Sequence, residues 1–172
     1  KIYVDVPLDS FTLAGPVSNI YGDKFIVNCI SKGDRKFKNA LDFYITYLLL
    51  VASGNAKEGV FISDAGAKRL DANAYSEEEA IEQLKILMVL YQAGIKNILP
   101  FTLELKWKTL KELRELDFDS AYGAIHEDIT APNSYCSEYL ITEFKNGFFT
   151  EDRIDEFKLN IDLILTGLFE LF

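Results

Sequence analysis

The segment Phe37–Ser53 constrains the fold more than any other part of the chain. It reads as a helix in which Leu41, Phe43, Tyr44, Ile45, Tyr47, Leu48, Leu49, Leu50 and Val51 leave almost no polar side. A helix that is apolar all round must be buried, here against a sheet on one side and other helices on the other. Gly54 follows as its C-cap. The apolar run Ala40–Ala52 is interrupted by Asp42 and Thr46 and is shorter than the roughly 20 residues that span a bilayer. With 172 residues, 49% of them hydrophobic, the chain is long enough to bury such a helix without disulfides.

The elements around this helix follow from local signals. Phe11–Tyr21 and Lys24–Ile30 are rich in strand formers and flank Gly22-Asp23, which predicts a β-hairpin with Pro16 at an edge or bulge. Gly59–Ile62 and Lys68–Leu70 predict two short strands around the turn Asp64-Ala65-Gly66. Ser76 with Glu79 forms a capping box. The helix it opens carries Ala80, Leu84, Leu87, Met88 and Tyr91 on one face and is expected to end at Gly94. A helical stretch with Leu105, Leu110, Leu113 and Leu116 comes next, then a loop-like region from Asp117 to Asn133. The last helix is capped by Thr150, stapled by Phe149 and Ile154, and carries Phe157, Ile161, Ile164 and Leu168 at helical spacing. This order predicts an α+β fold with a central mixed sheet flanked by helices, in one domain over residues 1–172.

Charge and composition narrow the chemistry. There are 27 acidic and 18 basic residues, a formal net charge of -9 and one histidine, a balance that argues against an autonomous duplex-DNA binder. Cys29 and Cys136 lie far apart in no metal-ligand spacing, so neither zinc nor a disulfide framework is suggested. A reduced, cytoplasmic protein without a cofactor or metal is expected. The start Lys1–Val6 has no signal-peptide character. Met88 is the only methionine, so the chain reads as a fragment or a processed product. His126 lacks any nucleophile-elbow context and reads as a surface-loop residue. No glycine-rich phosphate loop is present. The triplets Asp34-Arg35-Lys36, Glu104-Leu105-Lys106 and Glu143-Phe144-Lys145 have the acid-x-lysine form of metal-dependent nucleases, but none follows a strand with a second acid one strand earlier. They read as solvated surface. Lys32, Arg35, Lys36 and Lys38 form the one local basic cluster, which could contact a phosphate backbone; an ordinary solvated loop is the weightier reading.

Several strings in fixed order carry a resemblance. Phe11-Thr12-Leu13-Ala14-Gly15, the hairpin, Leu41–Leu49 followed by Ala52-Ser53-Gly54, and Leu87–Ile95 leading to Leu99-Pro100 resemble the C-terminal domain of RecC, the gamma subunit of exodeoxyribonuclease V. That domain is similar in fold to the PD-(D/E)XK, restriction-endonuclease-like nucleases. Active members read Gly-x-Ile/Val-Asp on one strand and Asp-Tyr/Phe-Lys on the next. On that pattern Gly15 matches the glycine, Ser18 stands at the first aspartate, Asn28 at the second and Ile30 at the lysine. Serine and asparagine do not supply the charge that holds magnesium, and isoleucine does not orient water.

The resemblance implies a nuclease-like core over about residues 8–100, a helical part over about 101–172, and no catalytic residues. It further implies a scaffold and interaction role in a RecBCD-like helicase-nuclease complex that processes double-strand ends, with RecB-type and RecD-type subunits as partners. DNA would be engaged through the whole complex and no membrane would be involved. The apolar end at Leu168, Phe169 and Phe172 reads either as a partner-docking surface or as packing onto the chain's own core, the second being favoured. The competing functional readings are an active metal-dependent nuclease and an unrelated α+β protein-binding module.

Overall fold

In the computed structural model, residues 1–29, 36–64, 66–97, 99–131 and 136–169 are described, Lys36 by its backbone alone. The chain falls into two compact units, one of Lys1–Gln92 with the chain from Gly167 onward, the other of Ala93–Thr166.

The first unit is organised by the apolar helix α1, Lys36–Ala52. Phe37, Ala40, Phe43, Tyr44, Tyr47, Leu48, Leu50 and Val51 are all buried. Its rings pack on the sheet: Phe43 stacks on Phe25 at 5.5 Å and lies tilted against Phe61 at 5.5 Å. Tyr47 donates to the carbonyl of Asp71 at 2.5 Å, and burial pushes its phenol up to about 12. Gly54 ends the helix at φ +70°, a conformation glycine adopts without strain.

The strands depart from the single expected hairpin. β1 (Ile2–Leu8) and β2 (Phe11–Val17) pair antiparallel as a two-stranded sheet of their own, Ile2 opposite Val17 and Leu8 opposite Phe11. β3 (Ile20–Tyr21) and β4 (Lys24–Asn28) form the hairpin across Gly22-Asp23, with Gly22 at φ +64°. Thus Phe11–Val17 pairs upstream, and only Ile20–Tyr21 pairs with Lys24–Phe25. The break falls at Ser18-Asn19, where Asn19 takes φ +61°, a left-handed turn that no continuous strand accommodates. Val4, Val6 and Leu8 are buried on one face of β1 while Tyr3, Asp5 and Pro7 are exposed, the alternation of a half-buried strand.

β4 pairs parallel with β5 (Glu58–Ser63), the crossover being α1, and β5 pairs antiparallel with β6 (Gly66–Leu70). The four strands β3-β4-β5-β6 make a mixed sheet. Glu58 binds both Lys24 and Arg69, joining three adjacent strands. α2 (Glu77–Lys96) opens with the reciprocal capping box: Glu79 N–H donates to Ser76 Oγ at 3.2 Å and Ser76 N–H to Glu79 Oε2 at 2.8 Å. It runs on through Gly94, because a single glycine inside a helix lowers stability without ending it. Ala80 and Leu84 are buried, but Tyr91 is exposed. Leu168 and Phe169, 0% and 8% exposed, belong to this unit's core.

The second unit is helical: α3 (Trp107–Glu112), a 3-10 turn (Leu113–Glu115), α4 (Phe118–Thr130), α5 (Glu138–Lys145) and most of α6 (Glu151–Phe169). α4 occupies the stretch expected to be a loop. Asp117 caps it by accepting from Ser120 N–H at 2.8 Å, and Ala121, Ile125 and Ile129 bury its apolar face. Ile154, Phe157, Ile161 and Leu165 of α6 are fully buried. Asn160 Nδ2 donates to the carbonyl of Pro100 at 3.2 Å. Among the described residues, no helix is long and apolar enough to cross a membrane.

Candidate functional site

The break between β2 and β3 opens a cleft in the first unit, about 440 Å³ in volume. Its walls come from β2, from the Ser18-Asn19 link, from Phe25 and Val27 of β4 and from α1. Ile26 N–H donates to the carbonyl of Asn19 at 3.0 Å, one step beyond the paired residues of β3. Continuing that register sets Ser18 across from Val27, beside Asn28 on the same strand. Phe25 and Val27 face the cleft. Asn28, the intervening step of the pleat, is exposed at the carboxyl end of β4 and does not line it.

The positions picked out by sequence therefore separate. Ser18 is exposed at the cleft and Asn28 lies outside it. Ile30, Lys32 and Arg35 lie outside the described residues. Of the basic cluster, Lys36 opens α1 and Lys38 is exposed on its first turn. Leu168 and Phe169 are buried, and Phe172 lies outside the described residues. Just past β4, buried Cys29 is in contact with Asn39, whose Nδ2 lies 3.4 Å from the sulfur.

Two polar residues of α1 that line the cleft were not singled out by their chemistry in the sequence: Asp42 and Thr46. They stand four residues apart, one turn of the helix, and with Leu49 they form the stripe of α1 that faces the cleft. The signal was present in the sequence, since these two are the polar interruptions of an apolar run. Among the described residues Asp42 is the single charged one of the cleft lining.

Of the acid-x-lysine triplets, Asp34 and Arg35 lie outside the described residues, Glu143 is half-buried and Lys145 exposed on α5, and Glu104-Leu105-Lys106 departs from solvated surface. Glu104 accepts from Ser137 N–H at 2.7 Å, and Lys106 pairs with buried Asp128, Nζ to Oδ1 2.6 Å. Both brace the second unit. His126 is exposed on α4 with its ring 5.5 Å from that of Phe144; it is a surface residue of a helix and not of a loop. Among the described residues no three His, Cys, Asp or Glu side chains are grouped to hold a metal ion.

No curated protein matches the chain. The family model for the RecC C-terminal domain matches residues 1–114. That stretch, more than half of the chain, holds both sheets, α1, α2 and the whole cleft, and so the chain belongs to the RecC C-terminal domain family.

Proposed function

We propose that this chain is a non-catalytic scaffold and interaction domain built on a nuclease-like, PD-(D/E)XK-type core. Family membership carries the coarse part of the reading: a RecC-type subunit acting in RecBCD-like DNA repair. The finer part rests on one observation. At the cleft where the nuclease pattern places its first metal ligand stands Ser18, and among the described residues the lining holds one carboxylate, Asp42. A hard divalent cation is held by several anionic or carbonyl oxygens, and hydrolysis adds a group that activates water. Asn28, where the pattern has its second acid, is neutral as well. What the scaffold retains is the packing machinery: β4, α1 and β5 joined through Phe25, Phe43 and Phe61. Its partners in this reading are RecB-type and RecD-type subunits, and DNA is reached through the assembly.

The test is a pair of assays on the full-length RecC-type subunit. Incubated alone with linear duplex and magnesium or manganese, it is expected to leave the DNA intact. Mixed with a RecB-type subunit, it is expected to co-elute as a stable complex. Metal-dependent degradation that fractionates with the subunit and is lost on Asp42→Asn would overturn the non-catalytic reading, and failure to co-elute would overturn the interaction role.

A further inference from the structure

The cleft at Ser18 has a lining suited to a different guest from a metal ion. Its polar side chains are those of Ser18, Asn19, Asp42 and Thr46, and all four can accept hydrogen bonds. None of the four side chains has a hydrogen bond or ion pair among the described residues. The rest of the wall is aliphatic and aromatic, with Leu13, Val17, Phe25 and Leu49. Among the described residues no lysine or arginine lines it.

These features together select an occupant. A phosphate or a nucleic-acid backbone is disfavoured, because the one formal charge among the described lining residues is negative and none of them is a cation that balances it. A bare divalent ion is disfavoured because a single carboxylate is too few anionic ligands. A long cationic side chain satisfies every part of the wall: its methylenes lie along the apolar residues while its charged end meets Asp42. Arginine fits better than lysine, because its fixed fork of five donors can serve several acceptors at once and its guanidinium is less strongly hydrated. The chain's net charge of -9 favours a basic surface on whatever carries that arginine.

We infer that the cleft between β2, β4 and α1 is a socket for an arginine side chain of a partner protein, held by Asp42 with Ser18, Asn19 and Thr46 as neutral acceptors. The inference rests on the interaction role proposed above and assigns a surface to it. Asp42 and Asn19 are exposed on the free chain, so the socket is open before assembly.

The experiment uses the full-length subunit and a purified RecB-type partner, with affinity measured by titration at low and moderate salt. Asp42→Asn is expected to weaken assembly at least about tenfold and Asp42→Lys by about a hundredfold or more, the range seen when one member of a desolvated interfacial charge pair is lost. Gly15→Leu tests the shape independently of charge: Gly15 lines the cleft and a Cβ added there meets nothing within 4 Å, so the larger side chain is expected to narrow the cleft without straining the fold and to weaken assembly also. Thermal midpoints of all three variants should match the parent, since Asp42 is exposed and Gly15 has room. A photo-crosslinker at Asn19 should capture a partner peptide that contains arginine. If the subunits assemble and all three variants bind as tightly as the parent, the socket is wrong while the interaction role stands. If Asp42→Lys instead tightens binding of a forked DNA, the occupant is nucleic acid and the inference is overturned. If the unaltered subunits do not assemble, both readings fall.

Discussion

At Glu58 a single side chain joins three strands. Its carboxylate accepts from Lys24 and from Arg69, and these contacts, the lysine hydrogen bond first, hold its pKa below the ordinary glutamate value. A carboxyl whose pKa is lower in the folded than in the unfolded chain adds stability above the ordinary carboxylate range. That contribution is lost as pH falls through the lowered value. Glu79 and Asp117 are shifted the same way by their capping bonds to Ser76 and Ser120, so all three feed the acid limb. Glu58→Gln is therefore expected to leave stability less dependent on pH below about 4.5 without abolishing the slope, as read from urea midpoints across that range. One position along β5, Gly59 has no room for a side chain: a Cβ there would lie 2.9 Å from Cζ of Phe43 and 3.1 Å from Cδ2 of Tyr47. Both rings are buried in the α1 core and have little space to yield. Gly59→Ala is expected to cost about 1–3 kcal/mol, the usual penalty for overpacking, measured as a lowered denaturant midpoint with an unchanged slope.

Elements show where sequence and structure part, and why. The burial of α1 was legible because Phe43, Tyr44, Leu48 and Leu50 spread over a wide arc of the helix and all needed cover. What the apolar count hid was the stripe of Asp42 and Thr46, which turns one face of that helix into a cleft wall. The turn at Gly22-Asp23 was legible from its own residues, whereas the partner of β2 was not. Pairing depends on which strand supplies a complementary buried face, and β1 supplies Val4, Val6 and Leu8. α4 was obscured by Gly123, His126, Glu127 and Asp128, which dilute its apolar pattern, although Asp117 and the spacing of Ala121, Ile125 and Ile129 mark a capped amphipathic helix. Asp128 itself explains the apparent anomaly of an acid on a buried face. Its Oδ2 accepts from the backbone N–H of Lys106 at 2.8 Å while Oδ1 pairs with the ammonium of the same residue, tying the start of α3 to α4. Asp128→Ala removes the acceptor and is expected to cost about 1–3 kcal/mol. Asp128→Asn keeps a carbonyl for the N–H and should cost less, an ordering that thermal melts of the two variants would check.

For the whole molecule, the apolar carboxyl-terminal helix and the acidic charge bear on what the chain can bind. Leu168 is fully buried and Phe169 nearly so, which makes them part of the first unit's own core. Leu168→Ala is expected to cost about 2–5 kcal/mol as a cavity, with amide protection falling along α1 and β4; a change that left stability intact and weakened only partner binding would reverse that assignment. The net charge of -9 bears on DNA in the same way. Nonspecific duplex affinity comes from releasing counterions with lysine and arginine, and it is already only about 10⁻⁴–10⁻⁶ M for proteins with a basic face at physiological salt. Here acids outnumber bases 27 to 18, and Lys38 is the one member of the basic cluster whose exposed side chain is described. Fluorescence anisotropy of a labelled duplex is accordingly expected to show no saturable binding to the chain alone at about 150 mM salt. Binding should appear when basic partner subunits are present, with a salt slope that is unchanged by Lys38→Ala. If Lys38→Ala instead reduced that slope by about one phosphate's worth, the start of α1 would be a DNA contact, and the chain would touch its nucleic acid directly despite its acidity.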